Sequence, residues 1–216
     1  MFITLEGIEG SGKTSQIRHI RAFFEDLGRR CTVTREPGGT GIGEQIRAVL
    51  LDPESRDLSP GAELLLYTAD RVQHAAEVIR PALTMGHVVI CDRYFDATLA
   101  YQGYARGLDM ALIRALHRLM LDDLTPDLTL LLDLSPDQGL ARAWHQIDNG
   151  TRAGDETRFE REALKFHEKV RAGYLDLAKQ APHRYRIIDA ARSEDDVRQA
   201  VRDILSAHPG LGSSDP

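Results

Sequence analysis

Five short apolar runs, separated by longer amphipathic stretches, organise the chain. Phe2–Leu5, Thr32–Thr34, Val88–Cys91, Leu128–Leu132 and Tyr185–Ile188 are expected as strands. Val88-Val89-Ile90 and Leu130-Leu131-Leu132 are continuous rather than alternating, the pattern of strands covered on both faces. Helical periodicity fills the intervals, over residues 13–28, 41–51, 61–84, 109–122, 136–148, 157–180 and 193–207. Such alternation predicts an α/β fold, a five-stranded parallel sheet with helices on both faces. Residues 53–61 read as a loop in which Ser59-Pro60 opens the next helix. The stretch 208–216 (HPGLGSSDP) is too rich in Gly, Pro and Ser to pack and is expected to be disordered, leaving one domain over 1–207.

Composition narrows the functional classes. The 216 residues suit one domain at the usual ~100–200 residues each. Lys plus Arg number 27 against 33 Asp plus Glu, a formal charge of −6, which argues against a protein that coats nucleic acid. No apolar run approaches the ~18 residues of a membrane span, and the opening MFITLEG lacks a secretory pattern. Two cysteines without C-x-x-C spacing, Cys31 and Cys91, point to a reducing, cytoplasmic setting. Both are expected as buried thiols. The eight histidines show no H-x-x-x-H or paired Cys/His spacing, so a zinc site is not expected.

The chemistry enters at Gly7-Ile8-Glu9-Gly10-Ser11-Gly12-Lys13-Thr14, which fits G-x-x-x-x-G-K-[ST] between a strand and a helix. The glycines let successive N–H groups turn inward as an anion nest, and the helix N-terminus adds its positive end. Lys13 is placed to reach the β- and γ-phosphates, and the Thr14 hydroxyl to ligate Mg²⁺. A GTP switch needs N-K-x-D, but Asn149 is the only asparagine and Gly150 follows it; D-x-x-G is absent as well.

In open α/β sheets ligands gather at the carboxyl ends of the strands. Those ends carry Thr34-Arg35-Glu36-Pro37-Gly38-Gly39-Thr40, Asp92-Arg93-Tyr94, Asp133 and Asp189-Ala190-Ala191. Arginines and carboxylates around a phosphate loop suit a second phosphate-bearing substrate. Arg93 is able to clamp a phosphate bidentately, and Asp92 to hold Mg²⁺ through water or orient Lys13; a structural Asp92–Arg93 ion pair is the plainer alternative. Tyr67 and Arg71 share one helix face, as do Thr98, Tyr101 and Gln102. The polar segment 142–161 holds Arg142, Arg152, Arg158 and Arg161; taken alone it reads as a solvated loop.

The blocks FITLEGIEGSGKT, TREPGGT, LLLYTADRVQH and DRYFDATLAYQG, followed by PDLTLLLDLSP, ALKFHEKVRAGY and IIDA, resemble the bacterial thymidylate kinases, nucleoside monophosphate kinases of the P-loop NTPase fold. The resemblance covers nearly the whole chain in order. It implies the reaction ATP + dTMP → ADP + dTDP with Mg²⁺, a homodimer formed through helices that include 61–84, and a mobile lid at about 142–161. Glu9 is implied to approach the 3′-hydroxyl and position the phosphate-holding arginine. Gly10 stands where the eukaryotic type has arginine, so the lid is implied to supply it from Arg142, Arg152 or Arg158. Arg47 and Arg93 are implied to grip the 5′-phosphate beside Glu36 and Pro37. Tyr67, in place of the usual Phe, is implied to stack on thymine; Arg71, Thr98 and Gln102 are implied to contact the base, and Tyr101 to crowd the 2′ position. Asp189 and Ala190 lie by adenine. The alternatives are a related kinase of another deoxynucleotide or nucleoside, and a nucleotide-binding regulator without transferase activity.

Overall fold

The computed structural model describes residues 1–151 and 156–208. Arg152 and the tail from residue 209 lie outside the described residues. Strands β1 (Phe2–Glu6), β2 (Cys31–Arg35), β3 (Val88–Asp92), β4 (Leu128–Asp133) and β5 (Tyr185–Asp189) form one parallel sheet in the order β2-β3-β1-β4-β5. Ile3 pairs with Ile90 on one side and Leu128 on the other. The central strands are buried nearly throughout, whereas the edge strands β2 and β5 alternate with partly exposed positions. This is why only the central runs are continuously apolar. The strands run one residue past the expected ends, because the ladder continues through polar residues: Arg35 pairs with Asp92 and Asp133 with Asp189. Charged side chains therefore collect at one edge of the sheet.

Helices α1 (Lys13–Asp26) and α9 (Glu194–Ser206) pack together on one face. The other face is covered by α8 (Leu164–Gln180) and by α5 (Phe95–Thr98), which continues as a π-helical turn Leu99–Ala105. Only the Thr98/Tyr101/Gln102 spacing foreshadows the α5 segment. Thr40 caps α2 (Gly41–Leu51), its hydroxyl accepting from Gly43 N at 2.9 Å. Ser59 likewise caps α3 (Pro60–His74). The expected 61–84 helix persists past His74 through a π turn, Ala75–Ile79, into α4 (Arg80–Thr84). The widened turn precedes Pro81, which has no N–H to offer an α-helical ladder. α6 (Met110–Leu121) and α7 (Pro136–Asp148) complete the helices used below.

Three expectations need correction. The helix expected from 157 begins only at Leu164. Its first residues are held by distant partners instead: Arg158 N donates to Leu51 O, and Phe159 O accepts from His167 Nε2. The 53–61 loop contains a 3₁₀ turn, Pro53–Asp57. Cys91 is buried, but Cys31, on the edge strand, is only half-buried. Among the described residues no helix is long and apolar enough to cross a membrane.

Beneath the sheet edge, Asp96 of α5 is 1 % exposed and receives both Nη1 and Nη2 of Arg184 at 2.7 and 2.8 Å. Arg184 also donates to Thr129 Oγ1 at 2.7 Å, joining α5, β4 and the start of β5. Removing one partner of a buried pair strands the other charge, at about 3–5 kcal/mol. Arg184→Met is expected to lower unfolding stability by about 3 kcal/mol, read from urea denaturation; a loss within experimental error would show the pair to be structurally idle.

Candidate active site

The phosphate loop leaves β1 at Gly7 and feeds α1 at Lys13. Gly7, Gly10 and Gly12 have φ values of 138°, 70° and 92°, a region side-chain-bearing residues rarely adopt. At Gly10 a second constraint applies: an added Cβ would lie 2.1 Å from Gly139 O of α7. The loop and the first turn of α7 touch backbone to backbone, which gives a steric reason for glycine at position 10. Lys13 Nζ folds back to Gly7 O at 3.0 Å, Ile8 O at 2.9 Å and Ser11 Oγ at 3.3 Å. Burial, then the nearby Arg93 charge, hold its ammonium down to about 8, against the opposing pull of Asp92, Glu9 and Glu6.

Glu9 joins this loop to the neighbouring cleft. Its Oε1 accepts from Tyr101 Oη at 2.6 Å and Arg93 Nη2 at 2.9 Å, and its Oε2 lies 3.2 Å from His167 Nδ1. Burial alone would raise this carboxyl; Arg93, His167 and Lys13 outweigh burial and hold it well below the usual range. Arg93 adopts a left-handed φ of 65°, places its guanidinium over the Tyr101 ring and donates from Nη1 to Tyr174 Oη. Tyr174 in turn donates to Glu6 at 2.7 Å. Burial, then Asp96, push the Glu6 carboxyl up to about 8.

On the far side of the cleft, Glu36 is 4 % exposed and accepts from Arg71 Nε at 2.7 Å, with His74 Nδ1 at 2.8 Å. Arg71 Nη2 donates to Thr98 Oγ1 at 2.9 Å and Tyr94 O at 3.3 Å. Asp70 accepts from Gly38 N, fixing the T-R-E-P-G-G turn, and burial beside Glu36 pushes its carboxyl up to about 6. Arg47 donates to Pro37 O, while its Nε and Nη2 grip the Glu156 carboxylate at 2.8 and 2.6 Å. Of the expected acceptor residues, Glu9, Glu36, Pro37, Arg47, Tyr67, Arg71, Arg93, Thr98, Tyr101 and Gln102 all line one cleft with Gly10 through Thr14. That cleft encloses about 780 Å³, within the range of small-molecule sites.

The lid arginines are placed differently from one another. Arg142, on α7, donates to Ala190 O at 2.9 Å, beside the loop expected to hold adenine. Arg158 does not line the cleft. It is 6 % exposed and donates to Leu50 O, Ser55 O and Glu63 Oε2, the last at 2.6 Å. In this conformation its charge is satisfied by the body of the protein. Asp133, at the end of β4, is tied bidentately by Arg171 at 2.7 and 2.8 Å. Asp92 instead lines the cleft with a buried Oδ1 that has no hydrogen-bond partner among the described residues, and Thr14 lines it too. Two hard oxygen donors beside a phosphate cradle fit Mg²⁺.

Sequence reasoning passes over Glu63, Asp70, His74, Glu156, His167 and Tyr174. A signal is present for three of them: Glu63, Tyr67, Asp70, Arg71 and His74 recur with helical spacing along α3. His167 and Tyr174 follow the same rule on α8. The Glu156 contact joins residues 109 apart and carries no local signal.

A phosphate loop after the central strand of a 2-3-1-4-5 parallel sheet, opening on a cleft lined with cations, defines a P-loop phosphotransferase. The chain belongs to the thymidylate kinase family, whose sequence model matches residues 5–201. It is 55 % identical over 190 residues to the thymidylate kinase of Desulfosudis oleivorans, covering 88 % of this chain and 89 % of that one. It is 56 % identical over 197 residues to that of Syntrophotalea carbinolica, covering 91 % and 90 %. Among solved structures, thymidylate kinase from Ehrlichia chaffeensis superposes with a TM-score of 0.74 at 34 % identity, over 95 % of this chain and 98 % of that one.

Gly10→Ala is expected to displace the phosphate loop from α7 and weaken ATP binding at least about tenfold, since both the left-handed backbone and the Gly139 contact oppose a Cβ. Calorimetric titration with ATP checks this; unchanged affinity would show that the contact yields freely.

Proposed function

We propose that this chain transfers the γ-phosphoryl group of ATP to dTMP, giving ADP and dTDP. One observation carries the reading: the phosphate loop and the acceptor residues line a single cleft, with Glu9 belonging to both. ATP lies along the loop, its adenine by Asp189 and Ala190; dTMP lies across from it, its 5′-phosphate between Arg47 and Arg93. Glu156 occupies Arg47 as a carboxylate until that phosphate takes its place. The base stacks on Tyr67 and meets Arg71, Thr98 and Gln102, while the Tyr101 ring, pinned by Glu9 and Arg93, stands against the sugar.

The nucleophile is a phosphate oxygen that is already anionic, so no general base is required. What the protein supplies is alignment and charge: two polyanions are brought in line, out of water, against fixed cations and backbone N–H groups. Lys13 leaves the carbonyls of its own loop for the phosphates. Arg93 meets the transferred group from the acceptor side, and Arg142, with Arg152 or Arg158 on lid closure, from the other. Thr14 and Asp92 would hold Mg²⁺, which when bound neutralises phosphate charge. The setting is the cytoplasm and the working unit a homodimer: Leu65 of α3 and Leu112, Leu119 and Met120 of α6 lie exposed on two helices in mutual contact.

A coupled assay across dTMP, dUMP, dCMP, dGMP and UMP tests the reading. Turnover is expected to be strongest with dTMP; a different preferred acceptor would redirect the assignment to another nucleotide, and ATP hydrolysis indifferent to all five would end it. Lys13 adds a pH dependence. Its charged form predominates below about 8 in the free protein, and above that the neutral amine offers no charge to a phosphate. The ratio kcat/KM for ATP, which reports the free enzyme, is expected to decline by up to about tenfold per pH unit above that point. Lys13→Ala is expected to nearly abolish turnover and, with it, this limb.

A further inference from the structure

Glu63 sits on α3 behind the cleft, fully buried and outside its lining. Its Oε1 accepts from Gln102 Nε2 at 2.8 Å and Arg106 Nε at 3.3 Å. Its Oε2 accepts from Arg158 Nη2 at 2.6 Å and Arg106 Nη2 at 3.3 Å. Gln102 is 1 % exposed and lines the cleft. With Nε2 engaged by Glu63, its Oε1 has no hydrogen-bond partner among the described residues and is left to the cleft. Arg71 shows the same division: Nε and Nη2 are engaged by Glu36, Tyr94 and Thr98, and Nη1 has no protein partner among the described residues.

These free atoms have opposite polarity. A guanidinium only donates, so Arg71 requires an acceptor on the base. An amide is ambivalent: rotated by half a turn, Gln102 would present a donor in place of an acceptor. Rotation here would bring Oε1 against the fully buried Glu63 carboxylate, setting acceptor against acceptor. We infer that Glu63 is a specificity-determining positioning residue: it locks the Gln102 amide so that the cleft accepts a pyrimidine with a carbonyl at C4 and a hydrogen on N3, and refuses one with an amino group at C4 and a bare N3. Thymine and uracil belong to the first class, cytosine to the second. The inference rests on the proposed seating of the base against Arg71 and Gln102.

The test is a double-mutant cycle in steady-state kinetics with dTMP and dCMP, using Glu63→Gln, Gln102→Met and the pair. A glutamine at 63 can donate as well as accept, so Gln102 becomes free to turn. Glu63→Gln is expected to lower the dTMP:dCMP ratio of kcat/KM at least about tenfold, with the absolute value for dCMP rising. In the Gln102→Met background the same change is expected to leave the ratio alone. Proportional losses on both substrates, or a ratio change that survives in that background, would overturn the lock. The underlying reading fails separately: a KM for dTMP unmoved by Gln102→Met would place the base elsewhere. Should Glu63→Gln not fold, side-chain amide NMR of the unmodified protein decides. The Gln102 amide protons are expected to keep their contact with Glu63 in the presence of either nucleotide; an amide that reorients with dCMP would refute the lock.

Discussion

Glu9 is the point on which the cleft turns. A carboxylate this deeply buried is untenable without partners, and its partners come from three places. Arg93 stands at the end of β3, Tyr101 on the π turn that follows, and His167 on α8, while Glu9 itself is part of the phosphate loop. The donor half and the acceptor half of the cleft are therefore registered through one side chain. The left-handed backbone of Arg93 belongs to the same constraint, because it directs the guanidinium back over Tyr101 toward Glu9. The third partner reaches further. His167 also donates to Phe159 O, so the chain that returns from 142–161 is anchored to the residue that organises the loop.

Much of this architecture is legible in the sequence, and the reason differs by region. The central strands are plain because burial on both faces leaves mainly apolar residues, with Thr4, Glu6 and Thr129 the buried exceptions. The phosphate loop is plain because its chemistry depends on backbone conformation, which the glycines advertise. The acceptor residues emerge from a family resemblance; spacing alone pairs only Tyr67 with Arg71, and Thr98 with Tyr101 and Gln102. The failures share one cause. The start of the helix expected from 157 and the position of Arg158 are both decided by contacts more than 90 residues away, with Leu50, Leu51 and Glu63. Periodicity describes a helix that folds by its own pattern, not a segment fastened by distant carbonyls. Glu156, the carboxylate that grips Arg47, is hidden for the same reason, and helical spacing marks Glu63 without naming its partners, since a partner's identity is a property of the fold.

Those hidden partners explain how a site built for two polyanions is stable without them. Four of the cations lining the cleft have provisional acceptors: Lys13 has loop carbonyls, Arg47 has Glu156, Arg71 has Glu36 and Arg93 has Glu9. They are not equivalent. Arg71–Glu36 is a buried pair and Arg93–Glu9 joins a half-buried arginine to a buried carboxylate, so both guanidiniums are held at fixed angles. The contacts of Lys13 and Arg47 are of another kind, a neutral backbone in one case and a carboxylate from the 156–163 turn in the other, and both are open to exchange for phosphate.

That distinction separates recognition from commitment. Fixed pairs hold the geometry that reads base and sugar, and the same physics that orients Arg71 orients Gln102. Exchangeable pairs respond to phosphate. The Arg47–Glu156 contact ties α2 to the segment that follows α7, so an anion that took Arg47 from Glu156 would release that tie. On the proposed reading an acceptor phosphate is that anion, and a segment freed when the second substrate arrives would close at the point where excluding water serves transfer to the acceptor.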